Sequence, residues 1–498
     1  MSPQNYLCVD IGAESGRLMS GSWDGDSLKL GEIHRFPNAG IPVAGSLRWD
    51  LLGLWREVRA GLKRAARELG SDIRSIGVDT WGLDYVLQDA SGEWLGLPYC
   101  YRDQRTRGLV EKATAIVSRA EIFSHSGVQF MEINTLYQLL ATQQSHPHLL
   151  ERAHKMLLIP DWLHWALCGS EASEFSNAST TQFLHPITKM WSAELLHRLG
   201  IPTHFLPELV EAGTDLGALR ADLASDCALP GLRVVAPATH DTGSAVVAVP
   251  TLNTGTPSWA YISSGTWSLM GIEVPDAVLN ETVLRHNFTN EGGVDGTYRL
   301  LKNIMGLWLV QQLRKSFLNK NSNGDYEQLV NLAAQAPALR SLIDPDDIDF
   351  LRPSDMAAAI QNACRKSNQP VPETEGQLVR CALESLALRY RQVLDSLELI
   401  TGSRIEVVHI VGGGSRNALL NQFTADACNR TVVAGPVETT AIGNLLWQAT
   451  ASGEIGSLSE VRQIVRRSFC GEIQEFHPRA ENLAEWDAAH ARWIGKVS

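Results

Sequence analysis

Across residues 51–69, Leu51, Leu54, Trp55, Val58, Leu62, Ala65 and Leu69 recur every three to four positions. A period of 3.6 places them on one face and predicts a helix with a single buried stripe. Elsewhere the apolar residues gather into short unbroken runs. Tyr6, Leu7, Cys8 and Val9 form one, and residues 73–79 (IRSIGVD) form another that ends on an aspartate. Runs of this length between turn residues read as buried strands. Helical spacing returns near 108–120 and 135–152, the second stretch opening after Asn134 and Thr135. Residues 234–249 (VVAPATHDTGSAVVAV) read as a strand, a Thr-His-Asp-Thr-Gly turn and a small-residue helix.

The second half repeats this plan. Residues 259–273 (WAYISSGTWSLMGIE) match 7–21 (LCVDIGAESGRLMSG) as an apolar strand, a small-residue turn and a second strand. Residues 405–428 add a strand, a triple-glycine turn and a helix with Leu419, Leu420, Phe423 and Ala427, the counterpart of 73–79 and the loop after it. The pattern predicts a duplicated α/β domain facing itself across a cleft. The boundary is placed near 245–255, where 250–257 (PTLNTGTP) has linker chemistry, giving domains 1–248 and 249–498. The polar stretches 319–325, 344–354 and 366–376 read as surface loops, and the last 40 residues carry no motif.

Length and composition narrow the function classes. A chain of 498 residues exceeds one hydrophobic core, so two domains are expected. The net charge of −12 disfavours a nucleic-acid or anionic-membrane binder. No apolar run reaches the ~20 residues of a membrane span, and the N-terminal residues do not read as a signal peptide. The eight cysteines form no C-x-x-C pair and the 14 histidines no H-E-x-x-H, which disfavours zinc or disulfide frameworks and fits a reduced cytoplasmic compartment. Whether Cys364 and Cys381 meet in space is left open.

Residues 9–17 (VDIGAESGR) pose the main question. The spacing from Gly12 to Gly16 lacks the G-x-G-x-x-G of a dinucleotide site, and 17–23 reads as a returning strand closed by Asp24-Gly25. The glycines therefore sit at a hairpin tip, either an ordinary turn or a cradle of bare N–H groups for phosphate.

Taken together, VDIGAESGR, DTWGLDY (79–85), YRDQRT (101–106), THDTGSA (239–245), SSGTWSLMG (263–271), NEGG (290–293), LKNIMGLWLVQ (301–311) and HIVGGGSRN (409–417) resemble, in this order, the FGGY family of carbohydrate kinases. Within the family the resemblance is closest to the kinases of L-rhamnulose. Leu136-Tyr137-Gln138 replaces a Lys-x-x-Trp segment of many members, and Asp344-Pro-Asp-Asp347 replaces a Gly-Glu-Arg loop, which points away from glycerol and xylulose kinases. The resemblance implies two actin/hexokinase-like (ribonuclease-H-like) α/β domains, with ATP mostly on the second, sugar mostly on the first and phosphoryl transfer between them. It implies ATP and Mg²⁺ as cofactors and L-rhamnulose, phosphorylated at O1, as the ketose, with L-fuculose or L-xylulose as alternatives. A nucleotide-driven actin- or chaperone-like switch is the competing class, against which the sugar-side residues argue.

The resemblance assigns roles to individual residues. Asp241 falls on the catalytic base, though from the residues alone it reads as a helix N-cap. Gly82, His240, Thr242 and Asn303 match sugar contacts, as does Asp241 itself, while Trp81 and Tyr85 flank the site or belong to the core. Ala13, Glu14, Ser15, Gly16 and Arg17 would wrap the ATP phosphates, with Arg17 a phosphate contact or a strut and Glu14 turned away. Thr266, Gln311, Gly413 and Asn417 match nucleotide contacts, Asn417 reading equally as a helix cap. Asp10 would orient the Mg²⁺ hydration shell. Asp103 and Arg105 are expected to form an ion pair shaping their loop.

Overall fold

The computed structural model describes residues 3–253, 257–318 and 325–495. Parts of the linker-like stretch 250–257 and of the polar stretch 319–325 lie outside the described residues. The chain forms two compact units. The first comprises Met1–Thr254, Glu273–Leu301 and Thr439–Cys470; the second comprises Gly255–Ile272, Lys302–Glu438 and Gly471–Ser498.

The first unit is built on six strands in the order Asp215–Ala218, Arg233–Val235, Ile73–Thr80, Gln4–Ile11, Ser15–Trp23, Leu28–Pro37. Tyr6, Leu7, Cys8 and Val9 are wholly buried, as a central strand covered on both faces requires. Gln4–Ile11 pairs antiparallel with Ser15–Trp23, which confirms the hairpin, and parallel with Ile73–Thr80 in a register that sets Asp10 beside Asp79. The helix Leu51–Leu69 begins where Asp50 accepts the Gly53 N–H and ends at Gly70, whose φ of 78° favours glycine. Leu51, Leu54, Val58, Leu62 and Ala65 are buried, whereas Trp55 and Leu69, at the stripe's margin, are only half-buried.

Two expected helices are each split in two. Near 108–120 the chain leaves Leu109–Ile116 at Val117 and restarts as Arg119–Ser126, capped by Ser118. Thr135–Ser145 is separated from Pro147–Arg152 by His146 at φ −144° and ψ 56°. Proline has no N–H for the helix ladder and keeps the preceding residue out of the helical region, so the break falls at His146.

A helix from the far end of the chain, Thr439–Ala451, completes the first unit's core. Ala441, Ile442, Leu445 and Leu446 pack with Tyr6, Cys8, Met19 and Trp23. Polar residues of this helix are also buried, and they are bonded: Asn444 donates to Asp79 (2.6 Å), and Gln448 donates to the Leu7 carbonyl (2.9 Å) and accepts from Ser75 (2.7 Å). Gly443 lies so close to the helix Asp241–Val247 that a Cβ there would clash with the Ser244 carbonyl.

The second unit repeats the strand plan. Trp259–Ser264 pairs antiparallel with Ser268–Val274 and parallel with Val407–Val411, beside which lie Thr431–Ala434 in parallel and then Gln474–Phe476 antiparallel. The 27-residue helix Glu375–Thr401 opens with a capping box between Thr374 and Gln377. Cys364 and Cys381 lie side by side as free, buried thiols. The last 40 residues include the helix Leu483–Ile494, anchored by buried Trp493 donating to the Ile343 carbonyl at 2.7 Å. Among the described residues no helix is long and apolar enough to cross a membrane.

Gly443→Ala is expected to cost about 1–3 kcal/mol or more by overpacking, because the obstructing atom is backbone. Gly413→Ala, where a Cβ meets nothing within 4 Å, should be neutral for stability. Urea unfolding of the two variants compares them; equal midpoints would refute the tight helix contact.

Candidate active site

The first hairpin is closed by the Gly12 N–H donating to the Ser15 carbonyl (2.9 Å) and laced by Asn38, which donates its N–H to Glu14 (2.9 Å) and its side-chain amide to Gly12 (2.8 Å). Two of its glycines serve different needs. Gly16 makes room for the Phe36 ring, whereas a Cβ at Gly12 would meet only the Ser15 carbonyl, at 3.7 Å. No packing among the described residues asks for glycine at position 12, so the space beside its backbone is open to a ligand although its N–H and carbonyl are bonded within the hairpin. Ala13 and Glu14 are half-buried and Ser15 is exposed. Arg17 pairs with buried Asp10 at 2.6 Å, so in this structure it acts as a strut.

Asp10 is one of three neighbouring carboxylates. Burial, with Asp10 and Asp241 near enough to add to it, pushes the Asp79 carboxyl well above the usual range and favours its neutral form. Its hydrogen bonds from Asn444 and Cys8 oppose the shift only in part. The Thr80 N–H donates to the Thr239 carbonyl at 2.9 Å, which joins the end of this strand to the loop that carries Asp241.

That loop is held by Glu174. The buried carboxylate accepts from the Thr239 N–H and hydroxyl (both 2.8 Å) and from the Ser176 N–H (2.9 Å) and hydroxyl (2.5 Å). Ser176 in turn accepts the His240 N–H at 3.1 Å. Burial raises the Glu174 carboxyl while these bonds pull it down. Its neighbour Asp161, bonded to Ser173, is pushed up by burial to about 8. His240 takes the N-cap position and Asp241 is the first helical residue, which corrects the reading of Asp241 as the cap. One Asp241 oxygen accepts the Thr242 N–H (2.5 Å) and hydroxyl (3.1 Å), and the side chain is 31% exposed. His240 is set between carboxylates, Nδ1 lying 3.2 Å from Glu291 and Nε2 3.5 Å from Asp241. The wholly buried Arg299 guanidinium stands 3.4 Å from the same Glu291 oxygen.

On the loop 81–85, Gly82 packs against Thr180, whose hydroxyl a Cβ would meet at 2.9 Å. Trp81 and Tyr85 are both buried, and the Trp81 ring lies 4.4 Å from that of Trp49. Beneath them Asp84 accepts from Trp49 Nε1 (2.5 Å), Trp81 Nε1 (3.0 Å), Gln138 Nε2 (2.8 Å) and the Tyr101 N–H (3.1 Å). Burial outweighs these bonds and lifts its carboxyl to about 6. The expected ion pair of Asp103 with Arg105 is replaced by other contacts. Asp103 accepts the N–H groups of Leu47 (2.6 Å) and Arg105 (2.8 Å), while the Arg105 guanidinium donates to Thr142 (2.8 Å) and Gln138 (2.9 Å). The turn geometry consumes the carboxylate before the side chain can reach it.

In the second unit, Gly265 and Thr266 form the matching tip. Gly265 donates to the Trp267 carbonyl (2.8 Å), and the start of the helix Trp308–Leu318 is tied to the tip by Leu307 donating to Gly265 (3.2 Å) and Trp308 to Thr266 (3.0 Å). Gln311 reaches the Thr266 hydroxyl at 3.4 Å, and its buried Oε1 has no partner among the described residues. Gly413 is exposed with nothing within 4 Å of a Cβ, while at Gly414 a Cβ would clash with Ser264. Asn417 is a helix cap: its carbonyl oxygen accepts the Leu420 N–H (3.0 Å) and its amide donates to Tyr326 (3.0 Å). Asn303, half-buried on the strand Tyr298–Ile304, lies in the second unit, whereas Gly82, His240, Asp241 and Thr242 lie in the first. Sequence reasoning missed Asn38, Glu174, Asp84 and Glu291 as parts of the site. The NEGG stretch containing Glu291 and the DTWGLDY stretch containing Asp84 were the available signals.

The N-terminal domain of the FGGY family of carbohydrate kinases matches residues 5–248, and its C-terminal domain matches residues 260–452. The chain belongs to this family. A rhamnulokinase of Bacteroides thetaiotaomicron is 45% identical over 487 residues, 98% of each chain, and one of Pectobacterium atrosepticum is 43% identical over 484 residues, 97% of this chain and 95% of that one. Among solved structures, gluconate kinase from Lactobacillus acidophilus has the same fold at a TM-score of 0.81 and 15% identity, covering 99% of this chain and 97% of that one. Glycerol kinase from Plasmodium falciparum with ADP has a TM-score of 0.75 at 18% identity, covering 99% of each. The protein is thus a sugar phosphotransferase of mixed α/β fold with two actin/hexokinase-like domains, and its family uses ATP as donor. In the second unit, the exposed Gly413 and the unpartnered Gln311 oxygen fit a nucleotide.

Asp84 provides a pH test. Its folded-state carboxyl lies above the unfolded value near 4, so the stability it contributes is fully present below pH 4 and is lost as pH rises through 6. At 1.4 kcal/mol per pH unit the change is about 3 kcal/mol. Asp84→Asn should remove this slope, so that the unfolding free energy of the wild type relative to the variant falls by about that amount between pH 4 and 7. A difference that stays constant would contradict the raised carboxyl.

Proposed function

We propose that this protein transfers the γ-phosphoryl group of ATP to O1 of L-rhamnulose, giving L-rhamnulose 1-phosphate, with Asp241 as general base. The observation that carries the reading is the placement of Asp241. It is a partly exposed carboxylate at the end of a loop immobilised by Glu174, near Asp10 and the glycine hairpin. The similarity to rhamnulokinases at 42–45% identity supports the choice of ketose.

In this reading, residues 1–248 bear the sugar and the base, and residues 249–498 bear most of the nucleotide. Gly82, His240, Thr242 and Asn303 bind the ketose. The backbone of 13–17 and Thr266 hold the phosphates, while Gln311 and Gly413 line the rest of the nucleotide. Asn417 acts at one remove, by fixing the turn Gly413–Arg416. Asp241 accepts the C1 hydroxyl proton and aligns that oxygen for in-line attack on the γ-phosphorus. Arg299, 3.3 Å from Nδ1 of His240, and Glu291, 3.2 Å from it, fix the ring with Nε2 on the side of Asp241. Among the described residues no cluster of three or more acidic, histidine or cysteine side chains could enclose a metal. Asp10 on its own suits Mg²⁺, which keeps its waters and is held largely by substrate phosphates, where it offsets their charge. The reaction belongs in the cytoplasm, where ATP is supplied.

Asp241→Asn should lower kcat by about 10²–10⁴-fold while leaving ADP binding intact, because the amide can neither accept the proton nor carry the charge. A purified variant with near-normal kcat would remove Asp241 from the mechanism.

A ketose panel at saturating Mg·ATP tests the substrate. L-Rhamnulose should give the highest kcat/KM, with L-fructose and L-xylulose about 10–200-fold lower, the range that an apolar wall can discriminate. Ketoses inverted at C3 or C4 leave buried polar groups unpaired and should fall by about 10⁴-fold. L-Fuculose or D-xylulose ahead of L-rhamnulose would overturn the sugar and leave the kinase reading standing.

A further inference from the structure

We propose that the first unit carries a second ligand site, for a small organic anion with an apolar body, separate from the sugar and nucleotide residues. The site is a cavity of about 760 Å³ between the two-stranded hairpin Ile41–Val43 and Ser46–Arg48 and the helix Thr135–Ser145. This volume is within the range of roughly 300–1,000 Å³ typical of small-molecule sites. None of Gly82, His240, Asp241 and Thr242 lines it.

The charge arrangement identifies the ligand. The guanidinium carbons of Arg48 and Arg105 stand 3.2 and 3.6 Å from the centroid of the Tyr99 ring. Two groups can both come that close only from opposite faces, so the two positive charges flank the ring, one on each side. Neither is paired with an acid among the described residues. Arg48 donates to the Ser46 hydroxyl (2.9 Å) and the Leu97 carbonyl (2.5 Å), and Arg105 to Thr142 and Gln138. Asp103 also lines the cavity, but its two oxygens accept backbone N–H groups. In a chain of net charge −12, two adjacent cations bonded only to neutral acceptors leave positive potential to be met by an anion. Arginine forks suit a phosphate ester or a carboxylate equally. Val43 and Leu97, 41% and 52% exposed at the rim, supply apolar surface for the rest of the molecule.

The cavity is also wired to the sugar loop. Arg105 donates to Gln138 (2.9 Å), Gln138 to Asp84 (2.8 Å), and Asp84 accepts Trp81 Nε1 (3.0 Å), next to Gly82. An anion drawing on Arg105 alters the hold of Gln138 on Asp84, so occupancy changes the KM for sugar. This coupling rests on the sugar-site reading above, whereas binding itself does not.

The test is isothermal titration of the full chain, its nucleotide site filled with ADP, using phenyl phosphate and benzoate as probes. Benzyl alcohol and inorganic phosphate serve as controls. Saturable binding of at least one organic anion is expected, at least tenfold tighter than either control and weakened at least tenfold in Arg48→Gln. The preference between the two probes tells a phosphate ester from a carboxylate. Because Arg48 supports the hairpin, Val43→Glu is a second variant that places a negative charge at the rim with both arginines intact, and it should also abolish binding. The kinase rate without probe should be unchanged in both variants. Binding of neither organic anion, equal binding of benzyl alcohol or of inorganic phosphate, or affinity unaffected by both substitutions would overturn the site.

Discussion

The loop that carries Asp241 in the first unit depends on one buried carboxylate. Taking Glu174 out of water costs several kcal/mol unless its oxygens are satisfied, and four donors from Ser176 and Thr239 satisfy them. The same bonds remove the freedom of the loop before His240. Because Thr239 is also bonded to Thr80, the loop is tied at once to a buried carboxyl group and to the central sheet. The orientation of Asp241 is thus set by Glu174, Ser176 and Thr239 behind it. Loosening any of them would leave a buried acceptor unpaired, a penalty larger than the gain from the hydrogen bond itself.

Glycine fulfils two separate roles in the hairpins and the triple-glycine turn. Gly16 and Gly414 are required from inside, by Phe36 and Ser264, and bring neighbouring segments into contact. At Gly12 and Gly265 a Cβ would meet only a turn carbonyl, and at Gly413 nothing, so packing does not ask for glycine there. Alternation of the two kinds explains how a turn can be both rigid and bare. The packing glycines fix the path of the chain, and at Gly413 the turn is left open to an approaching group.

Much of this architecture was readable from periodicity. The strand–turn–strand opening of each half, the helix 51–69 and the strand ending at Asp79 follow from local apolar spacing, and the structure bears them out. The breaks at Val117 and His146 were lost because the apolar pattern runs across them; only Pro147 hinted at one. The membership of Thr439–Ala451 in the first unit was illegible, since a helix buried all round has no face that names its partner. Of the site, the motif residues were legible as a resemblance. Glu174, Asn38 and Gln138 were not, because hydrogen-bond networks among distant polar residues have no period. The destination of Arg105 was misjudged for a related reason: backbone amides compete for a turn carboxylate, and sequence spacing does not reveal who wins.

The helix Thr439–Ala451 has a consequence for how the molecule is made. The first unit begins at the N-terminus, yet the face of its sheet around Tyr6, Cys8 and Met19 is covered by residues that a ribosome adds more than 400 positions later. Until then Asp79 lacks Asn444, and the Leu7 carbonyl lacks Gln448. The nascent N-terminal half must wait on the ribosome with an apolar surface uncovered, and closing that contact across such a sequence separation is entropically slow. Vectorial folding therefore cannot complete the first unit until the C-terminal part of the chain has been made.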